Sequence, residues 1–506
     1  MGTATITLMI ITLISKLTGL IREQVFAYYL GTGMAHDIYI TSLNIPVTIF
    51  SFITASVIAG FIPIYNKIDT EKGEEEANLF TSNLINILLI VATVVIFIIF
   101  IITPSLVTLF ASGYEGVKRD ITIIFTRVLS FSLYGIVLSS VFIGFLQIKN
   151  KFLIAESPGI VMNFFYITTI IVAAYFDNIY IIAIGIFLSE YLKYLLFPKE
   201  IRKAGYKHTW YINFKDEYIQ DLLKITIPII ISIAAVDVST ISDQTFASQL
   251  IEHGGVTIMR NSALLLSLIS GIIAVSITTV IYPIISKQAS LGHISEVKKT
   301  LMDGNIFSFI LIVPAMVGVM ILSEPLVKLI FERGSFTVES TKLTSGVLFF
   351  YIPTLLGQTI NQIFTRGFYS LQNTKIPIAI TLVQVALNIF LNYILSGIMG
   401  LNGLALATTI STTIGGIASL VFFRWKYGQM HLKIFITSVI KVMIASSIMG
   451  IVTYFSYNYF AQYNYLIGLL ISIILSIIVY LIVIVMLKVD HLKQIINMLY
   501  KKFKNK

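Results

Sequence analysis

The sequence predicts an all-α integral membrane protein of about fourteen transmembrane helices, organised as two pseudo-symmetric six-helix bundles followed by two further helices. Three observations carry this. Apolar stretches of roughly twenty residues, the length a helix needs to cross hydrocarbon, recur about fourteen times along 506 residues. The short segments between them hold their Lys and Arg almost wholly in alternate loops. A pattern in the first half also returns 220 residues later. No soluble chain of this size is so apolar, with 57% hydrophobic and 12% charged residues and a mean hydropathy of +0.90.

The elements follow in order. The first apolar stretch, 4–14, lacks a basic leader and continues into Lys16 and Arg22, so it reads as a retained helix and not a cleaved signal. The second span runs past Pro46 to Pro63, and the third, 84–102, is free of charge. Loops at 112–120, 149–151 and 177–178 divide spans three to six, with 160–175 in the fifth. The longest loop, 199–217, separates the halves. Spans seven to twelve lie between loops at 249–255, 287–299, 332–342, 373–375 and 396–403. After 424–433 come spans thirteen and fourteen, about 434–458 and 466–487. The expected domains are thus 1–203, a linker 204–218, 219–427, and 428–506 with a basic tail.

Loop charge sets orientation. Roughly 22 of the 35 Lys and Arg fall in the even-to-odd loops and the tail, and about 4 in the odd-to-even loops, which places both termini in the cytoplasm. The net charge of +10 is therefore a topology signal with a contribution from anionic lipid, and it does not argue for nucleic acid. The absence of Cys removes thiolate metal sites, disulfides and Cys nucleophiles, and is compatible with a bacterial cytoplasmic membrane.

The repeat is specific in two places. Val57-Ile-Ala-Gly-Phe-Ile-Pro63-Ile-Tyr-Asn-Lys67 aligns with Ile277-Thr-Thr-Val-Ile-Tyr-Pro283-Ile-Ile-Ser-Lys287. Gly144-Phe145-Leu-Gln-Ile-Lys-Asn150 resembles Gly367-Phe368-Tyr-Ser-Leu-Gln-Asn373, and each precedes a span containing an Asn, Asn163 or Asn388. Parallel repeats of this kind belong to transporters whose site lies between the halves.

Ionisable residues within the spans are candidates for function because they are costly in hydrocarbon. They are Lys16, Arg22, Glu23, Asp37, Arg127, Glu156, Glu190 and Lys193 in the first half, and Lys224, Asp237, Asp243, Arg260, Arg366 and Lys441 in the second. Lys193, Lys224 and Arg366 sit near span ends, where snorkelling explains them. Lys16 and Glu23, seven residues apart, share a helix face; their pairing would leave Arg22 as one net positive charge. The alternative is a self-neutralising cluster that fixes packing. The repeat offset carries Arg22 onto Ser242, beside Asp243, and Ser239 with Asp243 makes a polar stripe one turn long. Asp237 and Asp243 are candidates either for a coupling cation or for hydrogen bonds across the bundle.

No enzyme constellation stands out. His36, His208, His253, His293, His431 and His491 are scattered in or beside loops and the tail, without metal-ligand spacing. The loops are too short to hold a catalytic domain.

The stretch Ser15-Lys-Leu-Thr-Gly19-Leu-Ile-Arg22-Glu23, followed by Gly31-Thr-Gly-Met-Ala-His-Asp37, resembles the opening of the MurJ (MviN) lipid II flippase family, within the multidrug/oligosaccharidyl-lipid/polysaccharide (MOP) exporter superfamily. Leu329-Ile-Phe-Glu-Arg-Gly-Ser-Phe-Thr337, Gly367-Phe-Tyr-Ser-Leu-Gln-Asn-Thr-Lys-Ile-Pro377 and Asn388-Ile-Phe-Leu-Asn392 are similar to later motifs of that family. The resemblance covers about residues 4–427 in order. It implies the MOP exporter fold, a cationic cavity between the bundles, and a lipid-tail groove formed by the last two helices. Carried over by position, Arg22 and Asp37 match essential-type residues, Lys16 stands where the family usually has Arg, and Asp243 occupies a common Asp or Asn position. Two departures are evident. The second span lacks the family's usual Arg pair and Glu, and the usual Arg of span eight falls on Leu264, with Arg260 one turn earlier as its replacement.

The implied function is a flippase that moves a polyprenyl-diphosphate-linked sugar of the undecaprenyl type, lipid II first among them, by alternating access. The substrate contacts are Lys16, Arg22, Asp37 and Arg260, and Glu23, Asp237 and Asp243 line the cavity or bind a coupling ion. The implied partners are that lipid-linked glycan, membrane lipids and the cell-wall synthesis machinery, with no nucleic acid. No cofactor or metal is called for; a monovalent cation or the membrane potential is the expected energy source. The alternatives are a flippase for another lipid-linked glycan, such as capsule or O-antigen, and a cation-coupled multidrug exporter, which the last two helices and Arg22 disfavour. A membrane-embedded glycosyltransferase would need paired carboxylates or a large external loop.

Overall fold

The computed structural model describes residues 2–195, 197–430 and 432–488; His431, His491 and the tail beyond 488 lie outside the described residues. Every regular element among the described residues is a helix. Three long ones open the chain: α1 (Gly2–Leu30), α2 (Met34–Lys72) and α3 (Glu74–Phe110). Three broken spans follow, α4 (Gly116–Ser130) with α5 (Ser132–Ile148), α6 (Phe152–Glu156) with α7 (Pro158–Tyr175), and α8 (Tyr180–Leu192) with α9 (Phe197–Lys203). Then come α10 (Glu217–Leu250), α11 (Gly255–Ser290), α12 (Ile294–Ile321), the short α13 (Ser323–Phe331), α14 (Val338–Tyr351) and α15 (Thr354–Ser370). The chain continues with α16 (Lys375–Met399), α17 (Leu401–Tyr427), α18 (Leu432–Phe460) and α19 (Tyr465–Met486).

Among the described residues ten segments are long and apolar enough to cross a membrane, eleven if the pair α14 and α15, bent by 42°, is one span. The protein is a multi-pass membrane protein. The helices α1, α2 and α10, of 29, 39 and 34 residues, have the length of spans but hold half of the ionisable residues singled out above. Ionisable side chains are costly at that depth, so these three helices are where chemistry is expected.

Two compact units are present, Met1–Thr257 with Arg333–Thr337, and Ile258–Glu332 with Val338–Lys506. Duplication in the sequence set the start of the second half at 219, whereas α10 packs within the first unit. The reason is a polar seam between α2 and α10: Gln244 donates to Thr41 at 2.9 Å and accepts from Asn44 at 3.2 Å, and Ser51 donates to Asp237 at 2.5 Å. In hydrocarbon such bonds bind helices because the freed groups would find no water. Asp216 caps α10, accepting the N–H groups of Tyr218 and Ile219 at 2.9 and 3.2 Å.

Both copies of the repeat keep their backbone devices. Pro63 lies inside α2 and Pro283 inside α11. The turns that end α5 and α15 each pass through a left-handed residue, Asn150 at φ 58° and Gln372 at φ 55°. Each is closed by the same long-reach bond, Lys151 N–H to Leu146 C=O at 2.7 Å and Asn373 N–H to Phe368 C=O at 2.9 Å.

Within the second unit, glycines allow α15 and α17 to touch backbone to backbone. A Cβ on Gly357 would meet Thr412 C=O at 2.4 Å, and one on Gly416 would meet Gly357 C=O at 2.5 Å. The last two helices join each other and α12 through side chains: Thr453 of α18 bonds Ser476 of α19 at 2.6 Å, and Tyr480 of α19 donates to Ile310 C=O of α12 at 2.6 Å.

Candidate functional site

The intramembrane cation Arg22 is held by α1 and α7 of the first unit, with α8 behind them. Its Nη2 donates to Glu23 at 2.5 Å and its Nη1 to Asn163 Oδ1 of α7 at 3.0 Å. Asn163 is fixed in turn, since its amide donates to Ser15 C=O at 3.3 Å and Thr18 Oγ1 at 3.0 Å. The guanidinium lies over the Tyr166 ring, 5.4 Å from its centroid, an arrangement that stabilises a desolvated cation. Tyr166 donates its hydroxyl to Glu190 of α8 at 2.8 Å, and Glu190 pairs with Lys193. Arg22 has five donors, and its Nε–H is buried with no acceptor among the described residues.

This differs from the expected Lys16–Glu23 pair. Lys16 is exposed, and Glu23, buried to 1% exposure, pairs with Arg22. The sequential neighbour wins because an Arg side chain is long enough to curl back along its own helix, while Lys16 faces outward two turns away. Lys193 also departs from the snorkelling expectation: its side chain is only 12% exposed and it joins Glu190 in a buried pair. Lys224 does match that expectation, forming an exposed pair with Asp221 at 3.0 Å.

Asp37 belongs to a separate network. It is fully buried near the start of α2 and accepts four hydrogen bonds: Lys118 Nζ at 2.9 Å, Gly254 N–H at 2.7 Å, Thr257 N–H at 3.0 Å and Thr257 Oγ1 at 2.7 Å. Its carboxylate thereby caps the first turn of α11, where helix dipole and free N–H groups favour an anion. With its lone-pair directions engaged, Asp37 reads as a residue that fastens the turn at 31–33 to the turn at 251–254, and its assignment as a substrate contact loses geometric support. The loop 333–337 fastens to the same region, Ser335 N–H donating to Tyr28 C=O at 2.8 Å.

Asp237 is half-buried against Ser51, which favours the cross-helix reading of that acid over a coupling ion. Asp243 is half-buried on α10. In the second unit, Arg260 and Leu264 are both half-buried in the first turns of α11, as their spacing requires. Asn388, the repeat counterpart of Asn163, donates to Thr408 on α17 at 3.1 Å and accepts from Asn392 at 3.3 Å. The two halves therefore use the same Asn position differently. No three His, Asp or Glu side chains cluster as metal ligands among the described residues.

Sequence reasoning missed Lys118, Asn163 and Tyr166 as members of these networks. Lys118 had a legible signal, a lysine standing in a loop on the base-poor side. Asn163 was noticed only as a repeat marker, and Tyr166 had no signal at all.

The profile of the family described as "Lipid II flippase MurJ" matches residues 26–476. The chain belongs to the MurJ family. A Borreliella burgdorferi member described as "Probable lipid II flippase MurJ" is 26% identical over 92% of this chain and 91% of its own length. A Thermotoga maritima member with the same description is 26% identical over 87% of this chain and 88% of its own. Among solved structures, the fold is similar to "Lipid II flippase MurJ, inward closed conformation", with a TM-score of 0.80 at 25% identity over 94% of this chain and 98% of that one. An inward-facing multidrug transporter of the MATE family in the MOP superfamily is similar in fold, with a TM-score of 0.68 at 16% identity, covering 84% and 98%. The MOP exporter fold expected from the sequence is thus present. MurJ membership also covers α18 and most of α19, which lie outside the sequence repeat.

Proposed function

We propose that this MurJ-family protein carries lipid II, or a closely related polyprenyl-diphosphate sugar, from the cytoplasmic to the outer leaflet of a bacterial cytoplasmic membrane, with both termini cytoplasmic. The observation that carries the reading is the family match across 26–476. The site supports it. A diphosphate crossing hydrocarbon needs a preorganised cation with spare donors, and Arg22 is positioned by Asn163 and Tyr166 with its Nε–H unspent. Transport of this kind makes and breaks no covalent bond, so the protein is a transporter and no enzyme role is assigned. Arg260 is the second phosphate contact in this reading, and the cell-wall synthesis machinery is the natural recipient of the product. A monovalent cation or the membrane potential would supply the energy.

Depletion in the host tests the assignment. Lipid II should accumulate on the cytoplasmic side while outer-leaflet lipid II falls. Accumulation of a capsular or O-antigen lipid instead would transfer the assignment to that glycan. Arg22→Ala should abolish the flux at near-normal protein abundance and Arg22→Lys should keep part of it, since Lys retains charge without the planar fork.

A further inference from the structure

The segment between α9 and α10 has no regular structure, yet it is firmly built. Buried Ser82, Asn83 and Asn86 of α3 grip its alternate residues. Asn86 donates to the carbonyls of Thr209 and Tyr211 at 3.1 and 3.0 Å. Asn83 donates to Asn213 C=O at 3.1 Å and accepts Asn213 N–H at 2.8 Å, and Ser82 accepts Thr209 N–H at 3.2 Å. The grips take the backbone of 209, 211 and 213, and a γ-type bond from Tyr211 N–H to Thr209 C=O at 2.9 Å tightens the segment further, so its course over α3 is fixed while the apolar side chains at 210, 212 and 214 stay on the surface. Trp210, Ile212 and Phe214 are accordingly 82%, 48% and 53% exposed. Three buried polar side chains thus hold an apolar row on display, at the end of a candidate membrane span. Indole and phenyl rings at that level belong in the lipid interface.

Beside this row is a cavity of about 640 Å³, walled by Leu138, Phe142 and Ile201 and rimmed by Arg202, Lys207 and His208. Leu138 precedes the end of α5 by ten residues, about 15 Å of helix. The cavity therefore runs from hydrocarbon depth up to a cationic rim. Lys203 nearby pairs with Glu200 at 3.0 Å, while Arg202 and Lys207 have no acidic partner among the described residues.

We propose that this cavity is a binding site for an anionic phospholipid of the surrounding membrane, its phosphate on Arg202 and Lys207, an acyl chain against Leu138 and Phe142, and the Trp210 row seated in the same leaflet. Charge complementarity and the apolar depth together select this occupant: a zwitterionic lipid gains less from two unpaired bases, and free phosphate gains nothing from the apolar walls. The site is distinct from Arg22 and independent of which lipid is transported.

The chain has two Trp, so the full-length Trp425→Phe protein reports from Trp210 alone. It is reconstituted in phosphatidylcholine vesicles containing brominated phosphatidylglycerol or brominated phosphatidylcholine. The anionic quencher should act at about tenfold lower mole fraction, given that each base at the surface favours anionic lipid severalfold. Arg202→Gln with Lys207→Gln should erase that preference, Lys203→Gln should keep it, and inorganic phosphate should not reverse the quenching. Equal quenching by both lipids, a preference that survives the double substitution, or displacement by phosphate would each overturn the proposal. Flippase activity measured in parallel reads the Arg22 site separately.

Discussion

Replacing Asp37 by Asn tests whether the buried network at the head of α2 is a coupled unit. The side chain keeps its shape, but three things change. Lys118, only 4% exposed, loses its counter-charge; the new amide turns a donor toward another donor; and at least one of the bonds from Gly254 and Thr257 weakens. Breaking a buried pair from one side costs about 3–5 kcal/mol, because the remaining charge is uncompensated. Lys118→Met is milder. Asp37 would keep the Gly254 and Thr257 donors, so the loss is the ammonium's two bonds, to Asp37 and to the Glu252 carbonyl, about 3 kcal/mol for two charge-assisted bonds at the low end of their range. Asp37→Asn combined with Lys118→Met has no orphaned charge and should cost about 2 kcal/mol less than the two singles summed. Denaturant titration of the four proteins in one detergent gives the cycle. Additivity within about 0.5 kcal/mol would refute the network, and a more stable Asp37→Asn protein would show that the carboxylate is held for function at a stability cost.

Other consequences are equally checkable. Arg260→Ala should impair transport, and adding Leu264→Arg should restore part of it; normal transport by Arg260→Ala would place that side chain outside the substrate path. Gly357→Val inserts a Cβ within 2.4 Å of Thr412 C=O, so α15 and α17 must separate. A loss at the upper end of the roughly 1–3 kcal/mol typical of overpacking is expected, and an unchanged unfolding midpoint would contradict the close approach. In this Cys-free chain, cysteines at Ser112, His253 and Thr337 should react with an impermeant thiol reagent on intact cells, and those at Asn66, Lys215 and Ser290 should not. Labelling of both sets would reject the orientation. His253 is chosen over Gly254 because Gly254 has φ +96° and a Cβ there would lie 2.3 Å from Thr32 C=O.

The spans were legible because hydrocarbon imposes a length on them, and the repeat because Pro63 and Pro283 need the same local backbone. The intramembrane charges were legible as a set, but their partners were not. Helix periodicity assigned Glu23 to Lys16 across two turns, yet the flexible guanidinium of its neighbour Arg22 reached it first. Asp37 looked like a ligand because its family position is of an essential type, and only the fold shows that its acceptor capacity is spent on Lys118 and the start of α11. The grip of Asn83 and Asn86 on the linker joins residues more than a hundred positions apart, and nothing in the linker's own composition points to α3.

The charge balance around Arg22 bears on how a flippase releases its cargo. Arg22 with Glu23 and Glu190 with Lys193 form two neutral pairs where the sequence left room for a net positive charge. A bare guanidinium in hydrocarbon would hold a diphosphate strongly, and a carrier gains nothing from a ligand it cannot let go. If Arg22 meets the substrate phosphate as proposed, the arriving group takes the unspent Nε–H and competes with Glu23 for the rest of the fork, so the net free energy of binding is smaller than a bare guanidinium would give. Asn163 and the Tyr166 ring keep the guanidinium in place during that exchange without adding charge. In the proposed transport cycle, therefore, Arg22 supplies recognition, Glu23 supplies the return of the site to its resting state, and the neutral residues of α7 supply the geometry.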